Sequence, residues 1–206
     1  MNAGTIPDAS DDADLEAAED TTRSPIDLVG AAGRHVALLI ACVAMVGSLF
    51  FSEVLRWPPC LLCWYQRILM YPLTLILAIG ILRRDRGLHL YVLPFSLFGA
   101  CVSLYHYLLT KTDWLPPPPC TSGIPCTVDY LDWFGFINIP FLALTAFLII
   151  SVMLVTWATV VVPYDEDDSA VAVASSRAST AERAGVAVIV VGVVLSFVLG
   201  STLVQV

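Results

Sequence analysis

Two cysteines and an arginine form the group of residues in this chain that is best suited to redox chemistry. The stretch Cys60-Leu-Leu-Cys63 is followed four residues later by Arg67. The CxxC spacing lets two sulfurs form and break a disulfide with little movement of the backbone. If a helix begins near Cys63, its free N–H groups and the positive charge of Arg67 one turn later would favour the thiolate, which is the reactive form. This stretch therefore predicts a reactive dithiol.

A second pair of cysteines, Cys120 and Cys126, follows four consecutive prolines at 116–119. The prolines predict a stiff, extended arm. A glycine and a proline between the two cysteines supply the bends that would bring the sulfurs together. A disulfide in such a short, exposed ring should be open to attack by an incoming thiol.

Three interpretations of these four cysteines remain open: structural disulfides, a Cys₄ metal site, or two redox-active pairs. A structural disulfide gains little from closing a ring as small as CxxC. Zinc sites usually contain closely spaced pairs, and the five residues between Cys120 and Cys126 fit that pattern poorly. A haem attachment site would need histidine where Trp64 stands. The redox interpretation is favoured, and no metal site is predicted.

The rest of the chain has the composition of an integral membrane protein. Of its 206 residues, 58% are hydrophobic and only 14% are charged, whereas about a quarter of the residues in a soluble domain are charged. Five segments approach the length of about 20 apolar residues that a helix needs to cross a bilayer. We predict an all-α integral membrane protein, a bundle of four transmembrane helices with an additional C-terminal fifth transmembrane helix. The predicted spans are 35–54, 64–82, 88–109, 139–162 and 184–204.

The polar segments divide the chain into four predicted parts. Residues 1–33 form an acidic, disordered cytoplasmic tail, because they lack an apolar period. Residues 34–162 form the four-helix domain, 163–183 an acidic cytoplasmic linker, and 184–206 the extra helix. The formal net charge of −8 argues against nucleic acid as a partner. Two lone cysteines inside the spans, Cys42 and Cys101, are predicted to be packing residues.

The Lys and Arg residues are distributed unevenly between the two ends of the predicted spans. Seven of the ten lie before the first span, between the second and third, or between the fourth and fifth. Cytoplasmic loops carry the excess of positive charge, so the N-terminus is predicted to be cytoplasmic and both cysteine loops to face outside the cell membrane. Disulfides form and persist on that side. The seven are Arg23, Arg34, Arg83, Arg84, Arg86, Arg177 and Arg183.

Several motifs together resemble the DsbB family, most closely its BdbC-like branch. They are GSLFFSE at 47–53, PCLLCWYQR at 59–67, YHY at 105–107, the two Pro-Cys pairs that end at Cys120 and Cys126, and WFGFINIPF at 133–141. The resemblance covers residues 34–159. It implies a protein-disulfide:quinone oxidoreductase that reoxidises a DsbA-like thiol oxidase of the thioredoxin fold outside the bilayer.

The resemblance also implies an order of electron transfer among the cysteines. Cys120 would exchange disulfides with the cysteine of the partner protein. Cys126 would then pass the electrons to Cys60, and Cys63 would face the quinone as a thiolate.

Two further residues would bind the cofactor, a quinone of the ubiquinone or menaquinone type, if the resemblance holds. Arg67 would bind and polarise the quinone oxygen, and a charged residue near a membrane interface is in any case a functional candidate. His106, near the outer end of the third span, would lie close to the same headgroup. His35 and His89 are predicted on the cytoplasmic side, far from the cysteines.

The chain departs from the family pattern in its short cysteine loop, its fifth span and its acidic tail. Two other functions stay open. One is a quinone reductase like the vitamin K epoxide reductases, although those enzymes place CxxC after the loop cysteines, whereas here it comes first. The other is a membrane scaffold stapled by disulfides, without enzymatic activity. The spacing from CxxC to Arg67 argues against the scaffold.

Overall fold

A computed structural model of the chain describes residues 25–112, 124–160 and 180–205, and five long helices account for most of them. Each of the five is long and apolar enough to cross a membrane. The prediction of an all-α membrane protein with five spans is confirmed. The helices are α1 Pro25–Leu49, which continues into a π-helical segment Phe50–Val54, α2 Leu61–Leu82, α3 Leu88–Lys111, α4 Ile139–Val160 and α5 Thr180–Gln205.

Some predicted boundaries are wrong because apolar composition marks only the part of a helix that crosses the bilayer. Helix α1 begins at Pro25, so residues 25–33 are helical rather than part of a disordered tail. Proline is favoured in the first helical turn, where its missing N–H is not needed. Helix α5 begins at Thr180, so the end of the predicted linker is helical too. The rest of the tail and of the linker lies outside the described residues, and the other domain boundaries stay predictions.

The first four helices form a closed bundle. Both α1 and α3 pack against α2 and α4, and α5 lies outside the bundle, against α1 and part of α2. Close packing of α3 and α4 depends on Gly99, where a Cβ atom would lie 2.3 Å from the ring of Phe147. The hydroxyl of Ser96 donates to the Phe147 carbonyl at 2.8 Å. Small residues and interhelical hydrogen bonds of this kind replace the hydrophobic effect as the force between helices in lipid.

Helix α5 is attached to the bundle by charge at its N-terminal end. Glu182 accepts from Arg34 of α1 at 3.3 Å and from Arg84, which follows α2, at 2.6 Å. The guanidinium of Arg34 also lies over the ring of Trp157 in α4, 4.9 Å from its centroid. At the other end of α5, a Cβ at Gly200 would lie 3.7 Å from Phe50. The fifth helix therefore runs beside α1 from Arg34 to Phe50.

Two cysteines and two histidines were predicted to lie away from the redox chemistry. Cys42 is buried in the bundle core, as predicted. Cys101 is exposed on the outer side of α3, so its predicted packing role is wrong. His35 and His89 lie near Arg34 and Trp157, at the opposite end of the bundle from the CxxC pair.

Candidate active site

The CxxC pair forms the start of α2. The two prolines before it keep the chain out of a helix, and Cys60 is the N-cap residue. The backbone N–H of Cys63 donates to the Cys60 sulfur at 3.4 Å, and the two sulfurs lie 3.0 Å apart. Because α2 begins at Leu61, three residues before the predicted start, Cys63 lies in its first turn. The expectation that the Cys63 thiol lies at a helix N-terminus is confirmed. Cys60 is the residue that caps the helix.

Cys60 faces the interior of the protein. It is buried, and its sulfur lies 3.7 Å from Nε2 of His106. The hydrogen bond with Cys63 and burial together raise the pKa of the Cys60 thiol to about 12, while the hydrogen bond from His106 opposes the rise. In the reduced pair, Cys60 therefore holds its proton at neutral pH.

His106 lies near the end of α3, as predicted, and faces Cys60. Its ring is only 2% exposed and does not line the cavity described below. Nε2 donates to the backbone carbonyl of Cys126 at 3.1 Å, and Nδ1 lies 3.3 Å from the amide nitrogen of Gln66. The sequence indicated only that His106 lies near the end of α3, and the rotation of that helix turns the ring towards Cys60. Its proximity to a quinone headgroup stays a prediction.

The second cysteine loop is described from residue 124 onward, and it covers the CxxC pair. Cys126 is buried in a small cluster with Cys60, Leu62 and Leu109, and Cys63 packs against this cluster. The structure thus brings together three of the four predicted redox cysteines. Cys120 lies outside the described residues.

The loop is fastened to the ends of α3 and α4 by polar side chains. Asn138, fully buried, donates to the Thr110 hydroxyl at 3.0 Å and to Asp129 at 3.1 Å, and its own oxygen caps α4. Lys111 forms ion pairs of 3.0 Å with Asp129 and Asp132. These contacts fasten the part of the loop that follows Cys126 to both helices.

On the other side of the CxxC pair lies a cavity of about 360 Å³ between α1, α2 and α4. Its volume is in the range of small-molecule sites, which are mostly apolar with a few polar groups. Cys63, Gln66 and Arg67 line it from α2, whereas apolar side chains of α1 and α4 form most of the remaining wall. Sequence reasoning missed Gln66, which lies between this cavity and His106.

Arg67 is held in a fixed orientation at the cavity wall. Its Nε donates to the hydroxyl of Ser48 at 2.8 Å, and its Nη2 donates to the Ser48 carbonyl at 2.9 Å. The guanidinium also lies over the ring of Trp64, 5.6 Å from its centroid. Nη1 has no hydrogen-bond partner within the described segments. Ser48 lies in the last turn of α1, just before the π-helical segment, and π-helical turns are frequent at functional sites.

Three aromatic rings form the outer edge of the cavity. Trp57 stacks on Phe51 with centroids 5.5 Å apart and on Tyr130 with centroids 5.6 Å apart. Phe51 belongs to the π-helical segment, Trp57 to the first cysteine loop and Tyr130 to the second. The stack therefore joins these three segments at the edge of the cavity. No local spacing in the sequence indicates it.

The same groups also form a possible set of donors for a metal. The sulfurs of Cys60 and Cys63 and the His106 ring have ligand atoms within 4.8 Å of one another. Two thiolates and an imidazole suit a soft ion such as zinc, and a closed structural site would need a fourth ligand. The arrangement fits thiol–disulfide exchange with the neighbouring Cys126 equally well.

Comparison with known proteins agrees with this chemistry. Residues 32–199 match the family model described as disulfide bond formation protein DsbB. The chain is 57% identical over 113 residues to a probable disulfide formation protein C of Halalkalibacterium halodurans, covering 54% of this chain and 82% of that protein. It is 50% identical over 121 residues to disulfide bond formation protein C of Bacillus subtilis, covering 58% and 88%. No solved structure matches.

The family match extends over more than half of the chain, and each of these relatives is covered over most of its length. The motifs named in the sequence lie within the matched residues. The chain belongs to the DsbB family, in its BdbC-like branch.

Proposed function

We propose that the chain is a protein-disulfide:quinone oxidoreductase of the cell membrane. It reoxidises a DsbA-like protein of the thioredoxin fold outside the bilayer and passes the electrons to membrane quinone. Family membership makes the chain a multi-pass membrane oxidoreductase of disulfide bond formation. The observation that carries the finer proposal is the position of the Cys60–Cys63 pair between Cys126 on one side and an apolar cavity beside Arg67 on the other.

The thiol end of the reaction is a series of disulfide exchanges. The partner's thiolate opens the Cys120–Cys126 disulfide, and the partner leaves oxidised. The Cys126 thiolate then attacks Cys60 in the Cys60–Cys63 disulfide, and Cys63 leaves as a thiolate. Cys120 resolves the Cys126–Cys60 bond, which completes the transfer. Each exchange breaks one S–S bond and forms one.

The cavity supports the second half of the proposed reaction, in which the dithiol reduces a quinone. A quinone bound there would accept two electrons and two protons from the dithiol. Arg67 suits its carbonyl oxygen, because Ser48 fixes two of the guanidinium nitrogens and Nη1 has no partner among the described residues. The apolar wall suits a ring and isoprenoid tail of either the ubiquinone or the menaquinone type.

The proposed orientation has the N-terminus in the cytoplasm and both cysteine loops outside. The distribution of arginines supports it, since Arg34 and Arg84 lie at the end of the bundle opposite to Cys60.

The test is oxidation of a reduced DsbA-like protein by the purified chain in detergent, with and without added quinone. Cys63→Ala should abolish quinone-dependent turnover. Arg67→Ala should raise the quinone KM about tenfold or more, since a charged hydrogen bond is lost. Cys101→Ala, an exposed cysteine away from the site, and Arg86→Ala are the matched controls and should leave both constants unchanged. Turnover that is independent of quinone, or none with any quinone, would contradict the proposal.

A further inference from the structure

The ring of His106 lies within hydrogen-bond reach of both redox pairs. Its Nε2 lies 3.7 Å from the Cys60 sulfur and 3.1 Å from the carbonyl oxygen of Cys126. We propose that His106 is a catalytic hydrogen-bond donor that stabilises Cys60 as the departing thiolate, and that Gln66 positions its ring. The inference rests on the proposed function, because it assigns a role within the transfer from the CxxC pair to the loop.

The surroundings of the ring determine which nitrogen carries the proton. A carbonyl oxygen can only accept, so Nε2 must be the N–H that faces Cys126. Nδ1 then offers a lone pair, and the Gln66 amide donates to it at 3.3 Å. His106 is 2% exposed and Gln66 is 6% exposed, so water does not compete for these bonds. The same Nε2–H faces the Cys60 sulfur.

This geometry favours donation and disfavours a role as general base. To accept a proton from Cys60, Nε2 would need a lone pair, and that lone pair would then face the carbonyl oxygen of Cys126 at 3.1 Å. Two acceptors at hydrogen-bond distance repel each other. The carbonyl therefore keeps the N–H in place for as long as the second loop lies against Cys60.

A donor is needed at one step of the transfer. When the Cys120 thiolate attacks Cys126 in the Cys126–Cys60 disulfide, the Cys120–Cys126 bond forms, the Cys126–Cys60 bond breaks, and Cys60 leaves with the electron pair. A thiol of high pKa is a slow leaving group, and the pKa of the reduced Cys60 thiol is raised to about 12. An N–H that points at this sulfur offsets part of that disadvantage.

The dependence on the Cys126 carbonyl has a mechanistic consequence. Cys126, which receives the disulfide, also holds the His106 N–H that assists the release of Cys60. One N–H faces both the Cys126 carbonyl and the Cys60 sulfur. A second loop that moves away from Cys60 would leave Nε2 without its carbonyl acceptor, and the preference for the donor tautomer would be lost. The exchange is thus assisted when the loop is docked.

The test measures Cys60 directly and needs neither quinone nor partner, so its failure can be distinguished from failure of the proposed function. In a Cys63→Ala background, reduced protein is alkylated with iodoacetamide over a range of pH, and modification of Cys60 is followed by peptide mass spectrometry. His106→Phe should move the pH of half-maximal rate upward by about one unit, since one hydrogen bond to a charged acceptor changes an equilibrium about tenfold. His89→Phe, at the far end of the bundle, is the matched control and should cause no shift.

Two further variants separate donation from other roles. His106→Gln keeps an N–H donor but cannot act as a base, so it should restore at least half of the shift. Gln66→Leu removes the donor to Nδ1 and should cause a smaller upward shift. An unchanged midpoint in His106→Phe, or a His106→Gln midpoint as high as that of His106→Phe, would overturn the proposal.

Discussion

Cys60 and Cys63 are separated by two residues, yet they lie in different surroundings. Cys60 is buried beside His106 and the second cysteine loop, in a network of hydrogen bonds. Cys63 lies on the wall of an apolar cavity that also contains Arg67. The first turn of α2 is what separates them, because the N-cap residue and the third helical residue point in different directions. A single CxxC motif can therefore serve a protein thiol on one side and a small molecule on the other.

The largest effect should come from removing one sulfur of the pair at a time. Starting from an oxidised Cys120–Cys126 pair and without quinone, Cys63→Ser should exchange to a Cys60–Cys126 disulfide and a free Cys120 thiol, because Cys60 faces the loop and cannot form the Cys60–Cys63 bond. Cys60→Ser should accumulate much less of the corresponding Cys63–Cys126 disulfide, lower by about tenfold or more. Disulfide-linked peptides are quantified by mass spectrometry without reduction. Equal amounts of both products would show that the two surroundings do not separate the roles.

A second difference should appear in the pH dependence of alkylation. The raised pKa of the Cys60 thiol, about 12 in the reduced pair, leaves almost no thiolate at neutral pH, so Cys60 should react slowly at pH 7 and faster as the pH approaches that value. Its hydrogen bond with Cys63 is the largest cause, so Cys63→Ala should move the rise to lower pH. A short cysteine peptide added to the same reaction serves as the standard. Cys60 reacting as fast as that peptide at neutral pH would contradict this expectation.

The smallest effect should come from Ser48, which touches only the cavity side of the pair. Ser48→Ala removes the hydroxyl that accepts from Arg67 and leaves the carbonyl in place. We expect the quinone KM to rise about threefold with kcat unchanged, since one of two hydrogen bonds is lost. Ser196→Ala on α5, whose hydroxyl binds only its own helix, is the control. A fall in kcat with an unchanged KM would place Ser48 in the thiol exchange instead.

The parts of the site that the sequence predicted are those that depend on local spacing. The CxxC pair, the helix that starts beside it and the five spans follow from residues that are neighbours in the chain. The contact of Arg67 with Ser48 joins residues 19 apart, and that of Cys60 with His106 joins residues 46 apart. Neither leaves a pattern in the sequence, because each depends on how two helices are rotated against each other.

The error at Cys101 has a physical cause that also explains why the contacts of His106 could not be predicted. In a membrane, both the outer surface and the interior of a helical bundle are apolar, so hydropathy does not indicate which face of α3 points inward. Cys101 was assigned to the interior and faces outward, and the contact of His106 with Cys60 was not predicted. In a soluble bundle, alternation of polar and apolar residues would have indicated the inward face.

The fifth helix has a practical consequence for engineering. Because Gly200 of α5 lies beside Phe50, the C-terminal end of this helix is at the same end of the bundle as the CxxC pair. A thioredoxin-fold domain fused after Gln205 through a short flexible linker would thus remain next to the second cysteine loop, which oxidises it in the proposed function. Tethering of this kind gives effective concentrations in the millimolar range, so a single polypeptide could both introduce disulfides and regenerate itself.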